Sequence, residues 1–384
     1  MKNSIKKEEK GITLIALVIT IIVLLILAGV AIDMLSGENG ILTKAAGAKE
    51  RTEAAQEREE RELAELEDLI NNNGNGSLTG YNEEKQVNKP KLTGSTKDVN
   101  TGLIPIKYKE GNWVVCAEDD KEWYDYDASK MQWANAMLSD GKYKVDSVKV
   151  GQVVKTEELG SMFVWIPRYA YSMTTYKTTK TGTADSNNGT TQNITEVEYL
   201  KGSSNTGASG KVYPTDYNAS TVVEGEKTPM IVHPAFKFGG ANLRGIWVAK
   251  FEASMAGTNV NTTAENDTKA LEKTVKVVPN AESWRYITVG KAFQVCYNMR
   301  GKGIYKLAEG TNTHQIKNSE WGAVAYLAAS QYGKVPATNG SGSSYQDNGV
   351  TKYHSYCAAG NYETNKTQST TGNVNGIYDM NGGA

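Results

Sequence analysis

The chain has 384 residues, 42 of them basic and 43 acidic, for a formal net charge of -1. Near neutrality excludes the strongly basic field that marks a nucleic-acid binder, so no nucleic acid is expected as a partner. The three cysteines, Cys116, Cys296 and Cys357, include no CxxC pair and no His/Cys cluster, which excludes the common zinc patterns and leaves no metal or cofactor to assign.

From the N-terminus, a basic stretch with Lys2, Lys6, Lys7 and Lys10 runs into an uncharged, proline-free apolar segment from Ile12 to Ile32. An apolar helix of about 20 residues spans the roughly 30 Å hydrocarbon core of a bilayer. The flanking lysines favour a cytoplasmic N-terminus. The expectation is a single-pass anchor over residues 12–35, with Ile12, Leu14, Ile15, Ala16, Leu24, Leu25 and Ile32 facing lipid and everything beyond lying outside the cytoplasm at the cell surface. A secretory signal peptide is the competing reading. Its apolar region is shorter, about 7–15 residues, although Ala28 to Ala31 offers a small-residue cleavage site.

The order Lys10-Gly11-Ile12-Thr13-Leu14-Ile15 resembles the start of type IV prepilins and pseudopilins. That resemblance implies a leader over residues 1–11, cleavage between Gly11 and Ile12 by a prepilin peptidase, and methylation of Ile12. The acidic residue this family carries at its fifth mature position is Ala16 here, so the resemblance supports processing more than assembly with other pilin subunits.

Ser36-Gly37-Glu38-Asn39-Gly40 breaks the helix, since glycine costs up to about 1 kcal/mol there relative to alanine. A second helix, a charged stalk within residues 36–70, is read from its alanine-, glutamate- and arginine-rich pattern. Pairs such as Glu57 with Arg61 stand four apart, and Leu63, Leu66, Leu69 and Ile70 form an apolar stripe at its end. Residues 41–62 lack the sustained heptads a coiled coil needs. Asn71 to Ser77 ends the helix, and residues 71–102 read as a linker.

Beyond it, Ile104-Pro105-Ile106, Trp113-Val114-Val115 and Phe163 to Ile166 are predicted strands, being short and rich in β-branched and aromatic residues. Ser129 to Leu138 reads as a short helix. The Thr/Asn/Ser/Gly-dense stretch near 171–226 reads as an inserted surface loop or frayed hairpin. Gly245 to Glu252 is a packing strand with Trp247 and Lys250 on one side of a bend. Asn318 or Ser319 is expected to cap a helix whose residues Trp321, Val324, Ala325 and Ala328 face the core. Glu252 and Glu320 are expected to be hydrogen-bonded structural carboxylates. His233, His314 and His354 are expected to be surface or capping groups, and Cys296 with Cys357 is one candidate disulfide.

Four phrases, Phe163–Tyr169, Gly245–Glu252, Pro279–Arg285 and Lys317–Tyr326, followed by Gly376–Gly383, resemble the formylglycine-generating-enzyme-like, or sulfatase-modifying-factor, branch of the C-type lectin fold. The resemblance covers about residues 100–384. It implies an α+β head over 103–384 with short strands, few helices and long loops. It also raises oxidation of a cysteine to formylglycine, which that family performs with paired copper-binding cysteines near the C-terminus. No such pair is present, and no Ser/His/Asp or Cys/His arrangement replaces it, so the head is expected to be non-catalytic. Members of the branch continue past the point matching Ala384, so the head is expected to be incomplete, with its last ten residues packing poorly and Asp379 and Met380 at an open edge. The functional expectation is a membrane-anchored, surface-displayed binding or adhesion protein for an extracellular protein or glycan. The alternative is a minor pilin or pseudopilin.

Overall fold

A computed structural model describes residues 18–19, 21–23, 80–92, 102–174, 194–216, 227–256, 265–307, 311–333, 346–347, 350–351, 362, 366 and 369–380. The chain divides into two compact units, Met1–Leu63 and Ala64–Ala384. In the first, Val18, Ile19, Ile21, Ile22 and Val23 are helical with exposed side chains. Among the described residues no helix is long and apolar enough to cross a membrane. The leader, the remainder of the expected anchor and the stalk lie outside the described residues.

The second unit is mixed, with most of its regular structure in strands and few helices. Its strands are β1 (Tyr81–Asn82), β2 (Val87–Asn88), β3 (Ile104–Lys109), β4 (Asn112–Val115), β5 (Asn135–Met137), β6 (Val153–Val154), β7 (Met162–Pro167), β8 (Tyr169–Thr174), β9 (Ile194–Tyr199), β10 (Ile231–Val232), β11 (Lys237–Phe238), β12 (Ala241–Asn242), β13 (Gly245–Ala249), β14 (Ser254–Met255), β15 (Val275–Lys276), β16 (Gln346–Asp347) and β17 (Val350–Thr351). The helices are α1 (Glu265–Thr268), α2 (Val289–Tyr297) and α3 (Asn318–Ala328).

The main sheet has six antiparallel strands in the order β13-β7-β5-β3-β4-β6. Its residues obey the period of two where one face meets the core. Ile104 and Ile106 of β3 are buried, while the alternate positions Pro105 and Lys107 are only partly so, and Lys107 pairs with Asp120 and Glu122. The expected strands at 104–106, 113–115 and 163–166 are all present, and so is the one beginning at Gly245.

The expected helix over Ser129 to Leu138 is not formed. Residues 128–130 make a turn and Asn135–Met137 is strand β5. Trp133, Ala134, Asn135, Ala136, Met137 and Leu138 are all buried, so both faces of β5 are covered. A strand covered on both faces reads as a continuous apolar run that periodicity alone does not separate from a helix.

Strands β10, β8 and β9 form a second sheet, with Tyr169 to Thr174 paired against Ile194 to Tyr199. Part of the polar stretch at 171–226 is thus one arm of a hairpin. Residues 80–92, inside the expected linker, belong to the head. Tyr81, Val87 and Leu92 enter the core, and the carboxamide of buried Asn88 donates to Gly202 O and Arg244 O at 3.0 and 2.8 Å.

Three buried indole and phenol groups fasten neighbouring segments, which satisfies the polar tip of an otherwise apolar side chain. Trp123 Nε1 donates to Asn135 O at 2.7 Å, Tyr126 Oη to Trp165 O at 2.6 Å, and Trp133 Nε1 to Tyr332 O at 2.8 Å. Arg168, 1% exposed, joins two segments: its guanidinium donates to Ser204 O at 2.9 Å and Asn205 Oδ1 at 2.6 Å in one and to Phe236 O at 2.8 Å in the other.

The C-terminal segment corrects a second expectation. Ile377 and Tyr378 are buried and Met380 packs against the core. Thr370 N donates to Ile377 O at 2.9 Å, and Tyr378 N donates to Lys250 O at 2.8 Å. Poor packing is therefore not observed over 375–380, because Phe251 stacks on the Tyr378 ring at 5.2 Å and Lys250 anchors the preceding loop. Cys116 and Cys296 are free thiols, so Cys296 is not paired with Cys357.

Candidate functional site

Helix α3 places a polar and aromatic cluster at its N-terminal end. The cap is Lys317, in extended conformation, with the helix beginning at Asn318. This is one residue earlier than a cap at Asn318 and two earlier than one at Ser319. At the third helical position Glu320 accepts the Lys317 N–H at 2.9 Å, which satisfies one of the donors that every helix start leaves open. The same carboxylate meets His314 Nε2 at 2.9 and 3.0 Å through its two oxygens and Lys317 Nζ at 3.3 Å. His314 is thus neither isolated nor a plain surface group.

Burial raises the Glu320 pKa, and the His314 hydrogen bond, the Lys317 N–H and the neighbouring positive charge together outweigh it, holding the carboxyl below the usual glutamate range. Glu320 is 6% exposed and remains charged at neutral pH. Phe238, in the β11–β12 hairpin, completes the cluster: its ring lies 5.6 Å from the His314 ring, and Lys317 Nζ stands 4.0 Å above its centroid.

Because Glu320 turns inward, the buried face of α3 is Glu320, Ala323, Val324, Leu327 and Ala328. Trp321, expected in the core, is 39% exposed, and its indole N–H donates to Met380 O at 2.9 Å. A large aromatic ring is therefore presented to solvent, its orientation set by the bond to Met380 O.

His233 lies beneath the same helix. Its Nδ1 accepts the Ala235 N–H at 3.2 Å, capping the Pro234–Phe236 turn as expected of a capping histidine. It is not at the surface. The rings of Tyr171, Tyr169 and Tyr326 surround it at 5.0, 5.4 and 5.4 Å, and burial lowers its pKa to about 3.

Glu252 is half-buried and bonded by the Ser283 hydroxyl; burial raises its pKa, against the lowering effect of that bond. Burial likewise pushes the Cys116 and Cys296 thiols up, away from the reactive thiolate. An open apolar groove of about 400 Å³ runs past Cys116, lined by Leu92, Leu103, Ile104, Val115 and Val148, with Glu118 at its side. Among the described residues no group of three or more His, Cys, Asp or Glu side chains gathers to hold a metal.

No family model, curated protein or solved structure matches this chain. The expected processing and anchor positions Gly11, Ile12, Leu14, Ile15, Ala16, Leu24, Leu25 and Ile32 lie outside the described residues, as does His354. The Trp321 surface was not read from the sequence, which placed Trp321 in the core. The available signal was Glu320 three residues after Lys317, the spacing at which a carboxylate folds back on a helix start and draws its own helical face inward.

Proposed function

We propose that the chain is a membrane-anchored, surface-displayed binding protein whose head is non-catalytic. The anchor is the prepilin-like segment from Ile12, and the head is of the formylglycine-generating-enzyme-like, lectin-fold kind. The observation that carries the binding role is the exposed Trp321 ring, held by Met380 O on the outward side of α3. A fixed aromatic face suits the apolar side of a sugar ring or a protein side chain, and its orientation is set by a bond within the head. The non-catalytic reading is supported by how the titratable groups are used: Glu320 caps a helix, His233 is neutral and enclosed by rings, and the two described thiols are held protonated.

The test has two parts. Mass spectrometry of the mature protein from its own membranes is expected to show an N-methylated Ile12; retained Met1 would overturn the prepilin-like processing. The full-length protein, screened in detergent against glycans and extracellular proteins, is expected to yield a ligand whose affinity falls roughly ten-fold or more in Trp321→Ala. A ligand bound equally well by that variant would move the binding face elsewhere.

A further inference from the structure

Helix α2 is turned outward. Only Val295 in it is buried, whereas Val289 is 77% and Phe293 49% exposed. Val289, Phe293 and Tyr297 follow one another at intervals of four, which places them along one side of a helix. The Phe293 and Tyr297 rings are stacked 6.0 Å apart, and the Arg300 guanidinium lies 3.7 Å over the Tyr297 ring. The chain just before the helix exposes Tyr286, and the chain just after it exposes Ile304.

This stretch is also basic. Residues 281–307 contain Arg285, Lys291, Arg300, Lys302 and Lys306 against the single acid Glu282; Lys291 pairs with Asp267 and Lys306 with Asp146, each at 2.9 Å, so the positive excess rests on Arg285, Arg300 and Lys302. Aliphatic and aromatic side chains on one face of a helix, rimmed by lysine and arginine, are what an interfacial helix presents to a bilayer with anionic headgroups.

We infer that the exposed face of α2, centred on Val289, Phe293 and Tyr297, docks the head onto the anionic surface of the bilayer that holds the chain. The inference rests on the anchored reading above. Residues 33–79 separate the apolar run from the first described residue of the head.

The experiment is hydrogen–deuterium exchange of the full-length protein reconstituted in nanodiscs, either with phosphatidylglycerol or with phosphatidylcholine alone. Amides of 286–300 are expected to exchange on the order of ten-fold more slowly in the anionic discs, and the Val289→Glu/Phe293→Glu double variant is expected to lose that protection while keeping its melting temperature, since both side chains lie at the surface. No protection in either lipid, with the protein still embedded, overturns the docking alone. Protein that washes off the discs overturns the anchor itself. Protection that follows the number of chains per disc, whatever the lipid, assigns the face to a second copy and overturns the lipid assignment.

Discussion

The ammonium of Lys250 lies 2.8 Å from Oδ1 of Asn135, with both residues at most 1% exposed. It also reaches Val374 O and Gly376 O, each at 2.7 Å, and stands over the rings of Trp113 and Tyr378 at 5.2 and 5.3 Å. One side chain at the end of β13 thereby joins the centre of the main sheet to the C-terminal segment. Asn135 reinforces the junction by donating to Trp133 O and Asn375 O at 2.9 Å.

Replacing Lys250 by methionine keeps most of the buried volume but leaves the carbonyls of Val374 and Gly376 and the Asn135 oxygen without this donor. Unsatisfied buried acceptors cost about 1–3 kcal/mol each before relaxation. Lys250→Met is expected to lower the urea midpoint accordingly, with Lys250→Ala worse because it adds a cavity. A methionine variant as stable as the parent would show that the junction contributes nothing net.

Strands β3, β4, β7 and β13 are legible in the sequence because each is a short β-branched and aromatic run bounded by turn residues. The helix at α3 is legible from its start, where Asn318 and Ser319 precede Glu320 in the first turn and an alanine-rich run follows. What is not legible follows from tertiary context. Strand β5 has both faces covered, so its apolar residues carry no alternation to read. The inward face of α3 is shifted because Glu320, a charged residue no apolar count includes, is buried as a cap and a partner of His314. Lys250 and Arg168 are buried through contacts with residues distant in sequence, which no local pattern encodes. The His314–Glu320 pair was visible only as two separate residues.

Arg168 offers a test of geometry rather than charge. Its planar fork reaches Ser204 O, Phe236 O and Asn205 Oδ1 from one position, and lysine carries the same charge on a point donor that does not span all three. Arg168→Lys is expected to destabilise the protein by about 2–4 kcal/mol through the orphaned buried acceptors. Thermal unfolding of the two proteins at one pH measures the difference, and a shift below one degree would contradict it.

Glu320 separates capping from charge pairing. Glu320→Gln retains an acceptor for the Lys317 N–H but loses the carboxylate charge that faces His314 and Lys317, for an expected loss of about 1 kcal/mol; Glu320→Ala loses both, for about 2–3 kcal/mol. The wild-type contribution is present above the unfolded glutamate pKa and is lost as pH falls through the depressed folded value. The difference between wild type and Glu320→Gln should therefore shrink in acid, which denaturant titrations at neutral pH and near pH 3 would show.

His233 should dominate a different window. Its folded pKa, about 3, lies below the ordinary value near 6.5, so the unfolded chain binds the proton first as pH falls. Stability is unaffected by this group above about pH 6.5 and declines between there and about pH 3, at a slope approaching ~1.4 kcal/mol per pH unit for one proton. Because the burial that lowers the pKa comes from uncharged rings, chiefly Tyr169, Tyr171, Phe236 and Tyr326, added salt should leave the slope nearly unchanged, unlike the screened pairs at the surface. His233→Asn supplies an oxygen to accept the Ala235 N–H and carries no titrating group, so its stability should be flat from pH 6.5 to 5, where the wild type already declines. Equal slopes in the two proteins across that interval would place the acid sensitivity on another residue.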